Sequence, residues 1–217
     1  MRMINERKKT IYILLTDTGT LFTKTIKKYT EAPYNHVSIS FDIGLNDMYS
    51  FGRKHPRNPL YAGFVKEDEY RGTYRYFPKT KCILFKLEVT ARQLVKIKRI
   101  IRSFQDNQVF YKYNLVGLFG VVVNFPIELK NAFFCSQFVA EVLKRSGIKL
   151  WDKSSALVTP NDFLEHSAFT VLYEGKLYEY PLLLTTELLY YKPRSFRRTF
   201  IYDPYKKIKK FFIPKVI

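Results

Sequence analysis

Residues 36–42 alternate without a break. Val37, Ile39 and Phe41 are apolar, while His36, Ser38, Ser40 and Asp42 are polar. Strand side chains point to opposite faces in turn, so this pattern predicts a β-strand with one buried face and one polar face. A helix cannot use it, because its apolar positions must recur every three or four residues. Residues 10–16 (TIYILLT) also read as a strand, rich in β-branched side chains. Residues 81–89 (KCILFKLEV) read as another, with Ile83, Phe85, Leu87 and Val89 inward. Residues 48–53 return after a loop at 43–46, which predicts a β-hairpin with the His36 strand.

Helices complete the reading. Thr90 is a good N-cap, with Gln93 placed for a capping box, and Leu94, Ile97, Ile101 and Phe104 give the helix after it one apolar face. Residues 134–146 predict a second helix. Phe138, Val139, Val142 and Leu143 form its stripe, Lys144 and Arg145 suit its negative end, and Gly147 stops it. A short helix is expected over residues 20–29, and a helical turn begins at Thr159-Pro160. Residues 54–80 read as loop-rich, 109–130 as apolar and irregular, and 169–178 as a hairpin through Glu174-Gly175.

Length and composition narrow the class. At 217 residues and 47% hydrophobic content, the chain can build a sizeable core and is not disordered. Cys82 and Cys135 make no disulfide framework, and His36, His55 and His166 are not at metal-ligand spacing from them. No apolar run approaches the ~18 residues of a membrane span, and residues 11–15 are too short for a signal segment. The expectation is a cytoplasmic protein with reduced thiols and no cofactor. The net charge of +18 draws the chain towards polyanions or anionic lipid.

Cys135 is the first candidate for chemistry. It opens a helix, where the positive dipole end and free N–H groups lower a thiol's pKa and can receive an oxyanion. His36 is the second, standing on the polar face at the start of its strand. A helix carrying Cys, packed across a sheet carrying His, is the arrangement of a thiol nucleophile with its base. Ser50 is the third candidate, as the group that orients the imidazole. A hairpin loop of three or five residues sets Ser50 opposite Ser38 and diagonal to His36; a four-residue loop turns it to the other face. Asp42 shares the nominal face but lies far along the strand, and Asp47 is nearer the loop. Tyr34, just before His36, is a candidate oxyanion donor or pocket residue, and Tyr111 and Tyr113 are candidates to line the cleft.

The order of these pieces carries a resemblance. "YNHVSIS", then "YSFGR", then "FFCSQFVAEVLKRSGI" and "TPNDFLEH" resemble the permuted papain-like amidases of the YaeF/YiiX kind, in the NlpC superfamily. Lecithin:retinol acyltransferase and its relatives are similar in order. The resemblance covers residues 10–166. It implies an α+β, circularly permuted papain-like (NlpC-type) fold, an antiparallel sheet with the Cys-bearing helix packed on it. It also implies Cys135 as nucleophile and His36 as general base. The family's third residue is often a His, a carboxylate or an amide; Ser50 departs from that, so either another group serves or the site is weakened.

On this reading residues 1–166 form the catalytic domain. Residues 167–217 add a hairpin and a basic, aromatic extension packed on it. The expected activity is hydrolysis of an amide or ester through a Cys acyl-enzyme, on a small-molecule, peptide or lipid-acyl substrate. An acyltransferase, or a basic scaffold that binds polyanions, are the alternatives. The tail at 192–217 carries nine Lys/Arg against Asp203 alone, interleaved with aromatics. It reads as a solvated packed face, a membrane-surface segment or a polyanion-binding segment, without a specific nucleic-acid motif.

Overall fold

The computed structural model describes residues 8–19, 33–55, 58, 61–70 and 72–183. The strands are β1 (Lys8–Asp17), β2 (His36–Ser40), β3 (Met48–Arg53), β4 (Ala62–Glu67), β5 (Lys81–Thr90), β6 (Lys112–Tyr113), β7 (Ala132–Phe133) and β8 (Thr170–Lys176). The helices are α1 (Ala91–Asp106), α2 (Leu115–Val122), α3 (Cys135–Arg145) and α4 (Pro160–Glu165). Six strands pair in the order β4-β3-β2-β1-β5-β8. Every pairing among them is antiparallel, and β6 and β7 form a small parallel pair. The architecture is α+β.

The alternation of the strands decides which face the helices cover. Ile11, Ile13, Leu15, Val37, Ile39, Phe51, Ile83, Phe85, Leu87 and Val89 are all buried in the core shared with Ile97, Ile101 and Phe104 of α1 and Phe138, Val139, Val142 and Leu143 of α3. Phe51, Phe64, Phe104 and Phe138 pack there with ring centroids 5.1–5.9 Å apart. Truncating one such ring to alanine typically costs ~3–5 kcal/mol. α1 begins at the expected capping box: Gln93 N–H donates to Thr90 Oγ1 (3.2 Å) and Thr90 N–H donates to Gln93 Oε1 (2.8 Å). Thr159 and Asp162 cap α4 in the same way, with Pro160 in its first turn. Gly147 follows α3 at φ +85°, a left-handed conformation that favours glycine.

Sequence periodicity misplaced several elements. Residues 54–80 contain β4, which pairs along the whole of β3. The region at 109–130 contains β6 and α2. Residues 170–176 form one strand rather than a hairpin: Glu174 and Gly175 lie opposite Ile83 and Cys82 of β5. The exposed backbone of β5 takes a sixth strand, and the Glu-Gly pair has no need to turn. The six-stranded sheet therefore continues past residue 166. The helix expected at 20–29 and the tail at 192–217 lie outside the described residues.

The other face of the sheet is apolar too, because Leu14, Met48, Cys82 and Leu84 bury against Leu45, Tyr74, Leu177, Tyr180 and Leu183. Two tyrosines tie the segment at 177–183 to the chain after β4: Tyr178 donates to Glu69 O (2.6 Å) and Tyr70 to Leu183 O (2.7 Å). Beneath them the Glu69 carboxyl is buried with Oε1 unpartnered. Burial, chiefly, pushes it up to about 8. A carboxyl raised on folding stabilises fully below its unfolded value of 4.5 and loses that contribution as pH climbs to about 8. Glu69→Gln, which stays neutral, should melt like the wild type at pH 4 and about 5 °C or more above it at pH 8. Equal melting temperatures at pH 8 would show that the carboxyl ionises without penalty.

Candidate active site

His36 opens β2 opposite Thr16 of β1. The residue before it is fixed from two sides: Asn35 N–H donates to Thr16 O (3.1 Å), and Asn35 Nδ2 to Asp17 Oδ1 (2.6 Å). β2 and β3 pair at Ile39–Tyr49 and Ser40–Met48, next to the hairpin turn. Phe41 N–H donates to Asp47 O (3.1 Å), which closes a five-residue loop at 42–46. Asp42 organises that loop by accepting from Asn46 and Asp47 N–H. An odd loop keeps Ser50 on the polar face with Ser38 and His36.

Ser38, Ser50 and His36 converge on Glu67, the last residue of β4. Its Oε1 lies 2.6 Å from His36 Nε2 and accepts from Ser38 Oγ (3.1 Å) and from Ser50 Oγ. Tyr74 adds a hydrogen bond to the same carboxylate, and its hydroxyl lies 3.2 Å from Thr16 Oγ1. Burial works to raise this carboxyl, but the His36 charge and the bonds from His36, Ser50 and Tyr74 outweigh it and hold Glu67 below the usual range. The group in direct contact with the imidazole is thus Glu67; Ser50 supports the carboxylate.

Cys135 arrives on the other side of His36, in the first turn of α3. Phe134 is the N-cap and offers no side-chain acceptor, at a position where Ser, Thr, Asp or Asn usually serves. The first N–H groups of the helix are therefore left for the sulfur. Cys135 Sγ lies 3.9 Å from Asn35 O and interacts with His36 and with the N–H groups of Val37 and Ser136. Burial disfavours the thiolate, but the His36 hydrogen bond and charge, with those two N–H groups, bring the thiol below its ordinary value. Burial likewise opposes charge on His36; the Glu67 carboxylate, with Cys135, overcomes it and raises the imidazole to about 10. Both shifts favour a thiolate–imidazolium pair.

Tyr113 reaches the sulfur as well. β6 runs parallel to β7 with Tyr113 opposite Phe133, two residues before Cys135, and its hydroxyl hydrogen-bonds Cys135. Asn114 secures the junction: its Nδ2 donates to Gln137 Oε1 (3.4 Å), which also accepts from Phe134 N–H (3.3 Å). Tyr34 is placed elsewhere, buried in the core with its hydroxyl donating to Glu174 Oε1 of β8 (2.9 Å). A cleft of about 580 Å³ opens beside the site and includes His36, Glu67, Tyr74 and Tyr113 in its wall. Arg53, Lys54 and Lys66 also line it.

The remaining thiol and imidazole have other settings. Cys82 is buried and its thiol is pushed up to about 12, chiefly by burial. His166 follows α4, its Nε2 2.9 Å from Leu150 O and its Nδ1 accepting from Ala168 N–H (3.1 Å). Among the described residues no group of three or more His, Cys, Asp or Glu side chains could hold a metal ion. No helix among them is long and apolar enough to cross a membrane.

No protein-family model matches the chain, and no curated protein matches it.

Proposed function

We propose that this chain is a cysteine hydrolase of circularly permuted papain-like architecture, acting on an amide or ester. The observation that carries the reading is a helix-terminal thiol lowered by a histidine which a buried carboxylate holds from behind. The order along the chain, His36, then Glu67, then Cys135, agrees with the resemblance, with a carboxylate as the orienting group. In the acylation step the Cys135 thiolate attacks the carbonyl carbon. The tetrahedral oxygen takes hydrogen bonds from N–H groups at the start of α3 and from the Tyr113 hydroxyl. The carbon–nitrogen or carbon–oxygen bond then breaks, and the His36 imidazolium gives its proton to the leaving group. In deacylation water gives a proton to His36 as its oxygen bonds the acyl carbon, and the carbon–sulfur bond breaks to return the thiolate. Glu67 keeps the imidazole in one orientation and stabilises its charged form throughout. Arg53 and Lys54 in the cleft wall favour a substrate that carries an anionic group.

The test is to trap the acyl-enzyme. The full chain is mixed with a p-nitrophenyl ester, quenched in acid and weighed by intact mass spectrometry. The expected result is one acyl group, on Cys135, absent from Cys135→Ala and retained in Cys82→Ala. A chain that gains no acyl group across a series of acyl esters, or gains it on other residues, overturns the reading.

A further inference from the structure

Helix α2 is turned inside out. A helix on the surface of a protein normally hides its large apolar side chains and exposes its small or polar ones. In α2 the buried residues are Gly117 and Gly120. They sit so close to their neighbours that a Cβ on Gly117 would stand 2.4 Å from Asn114 Nδ2, and one on Gly120 would stand 2.5 Å from Phe125 O. The close approach of its glycine face points the large side chains outward. Phe119 is 74% exposed, and Val116 and Val122 are about half exposed. The chain after the helix continues the surface, with Val123 at 69% and Phe125 at 65%. Val109 and Phe110, which precede β6, are exposed as well, and Val109 lines the cleft. An exposed apolar surface of this extent marks an interaction site.

We propose that this face docks on an anionic lipid bilayer, with the side chains of Phe119, Val123 and Phe125 entering the interfacial layer. Three observations choose the occupant. These side chains protrude from a convex helix and turn instead of lining a groove, as insertion among lipid chains requires. No Asp or Glu occurs between Asp106 and Glu128, so no carboxylate is carried into the layer, and the exposed Lys112 and Lys130 flank the surface. The whole chain carries +18, which attracts an anionic bilayer and repels a second copy of itself. α2 begins two residues after Tyr113 of the cleft wall. The proposal is independent of the reaction assigned to Cys135.

Co-sedimentation of the full chain with vesicles of phosphatidylglycerol and phosphatidylcholine tests it, comparing wild type with the double variant Phe119→Ser, Phe125→Ser. Both positions are exposed, so the variant should keep the wild-type circular dichroism and melting temperature. The expected result is a loss of vesicle affinity of about tenfold or more, since two aromatic side chains no longer enter the interface. A second variant, Phe119→Trp, reads insertion once the emission of Trp151 in the wild type is subtracted: the added fluorescence should shift to the blue on vesicle addition and be quenched by brominated lipid. Three results would overturn the proposal. The double variant could bind as well as wild type, which assigns binding to charge elsewhere in the chain. The tryptophan could show no shift. Wild type could ignore vesicles while the double variant converts a dimer to a monomer, which makes the face a contact between copies.

Discussion

Replacing His36 with alanine is expected to slow alkylation of Cys135 by iodoacetamide about a hundredfold at pH 6. The reason is the balance of forces on the sulfur. Burial alone raises a thiol, and Cys82, pushed up to about 12, shows what burial does in this same chain. Cys135 is buried too, yet its thiol is lowered, and the largest opposing influence is His36. Without the imidazolium, the Val37 and Ser136 N–H groups and the Tyr113 hydroxyl remain to favour the thiolate against burial. The thiol then returns towards or above its ordinary value, where about three molecules in a thousand or fewer are ionised at pH 6. The wild type should keep reacting on the acid side of the free-thiol range. On the alkaline side, an activity that needs the imidazolium proton should fall as pH rises through about 10, where His36 loses it. The measurement is the pH dependence of carboxamidomethylation, followed by mass spectrometry in a Cys82→Ala background. Equal rates in the two proteins at pH 6 would separate His36 from the sulfur.

Glu67→Gln should slow acylation of Cys135 on the order of a thousandfold, whereas Ser50→Ala should cost about tenfold or less. Glutamine keeps the shape of the side chain but removes the charge that holds His36 protonated. The Ser38 and Ser50 hydroxyls and the His36 ring share Oε1, and a neutral amide oxygen there accepts from them more weakly than the carboxylate does. Ser50→Ala removes one donor among several and leaves the charge in place. A comparable loss in the two variants would make Ser50 the orienting residue. The acylation rate should be read together with the pH profile, because Glu67→Gln moves the imidazole towards its ordinary value and Ser50→Ala largely does not.

Much of this architecture was legible in the sequence because one face of each strand is buried. Alternation at 36–42 and 81–89 set the inward residues, and Thr90 with Gln93 marked the start of α1. The same logic placed Ser50 once the loop proved to have five residues. β4 was hidden for a physical reason. It holds Gly63 between Ala62 and Phe64, follows Pro56 and Pro59, and presents too few apolar residues in alternation to stand out. Glu67 sits at its end and was missed with it, although a carboxylate close behind a Phe-Val pair was the available signal. α2 was missed because its exposed face is the apolar one, so a search for a hidden apolar stripe finds nothing regular. Tyr34 drew attention by standing near His36 in sequence, but its hydroxyl is spent on Glu174. Tyr113 reaches the sulfur through the pairing of β6 with β7, which local pattern does not show.

The bare N-cap at Phe134 has a consequence for how the protein can be followed as it folds. Most buried thiols are shielded in the native state and react once the chain opens, and Cys82 is of that kind. Cys135 depends for its ionisation on β2, β4 and the first turn of α3 arriving together from distant parts of the chain. Loss of any one of them leaves an ordinary thiol. The two sulfurs therefore report the same transition with opposite sign: one is labelled because the chain has come apart, the other because it is whole. Their ratio under a single reagent is an internal gauge of native population that needs no substrate.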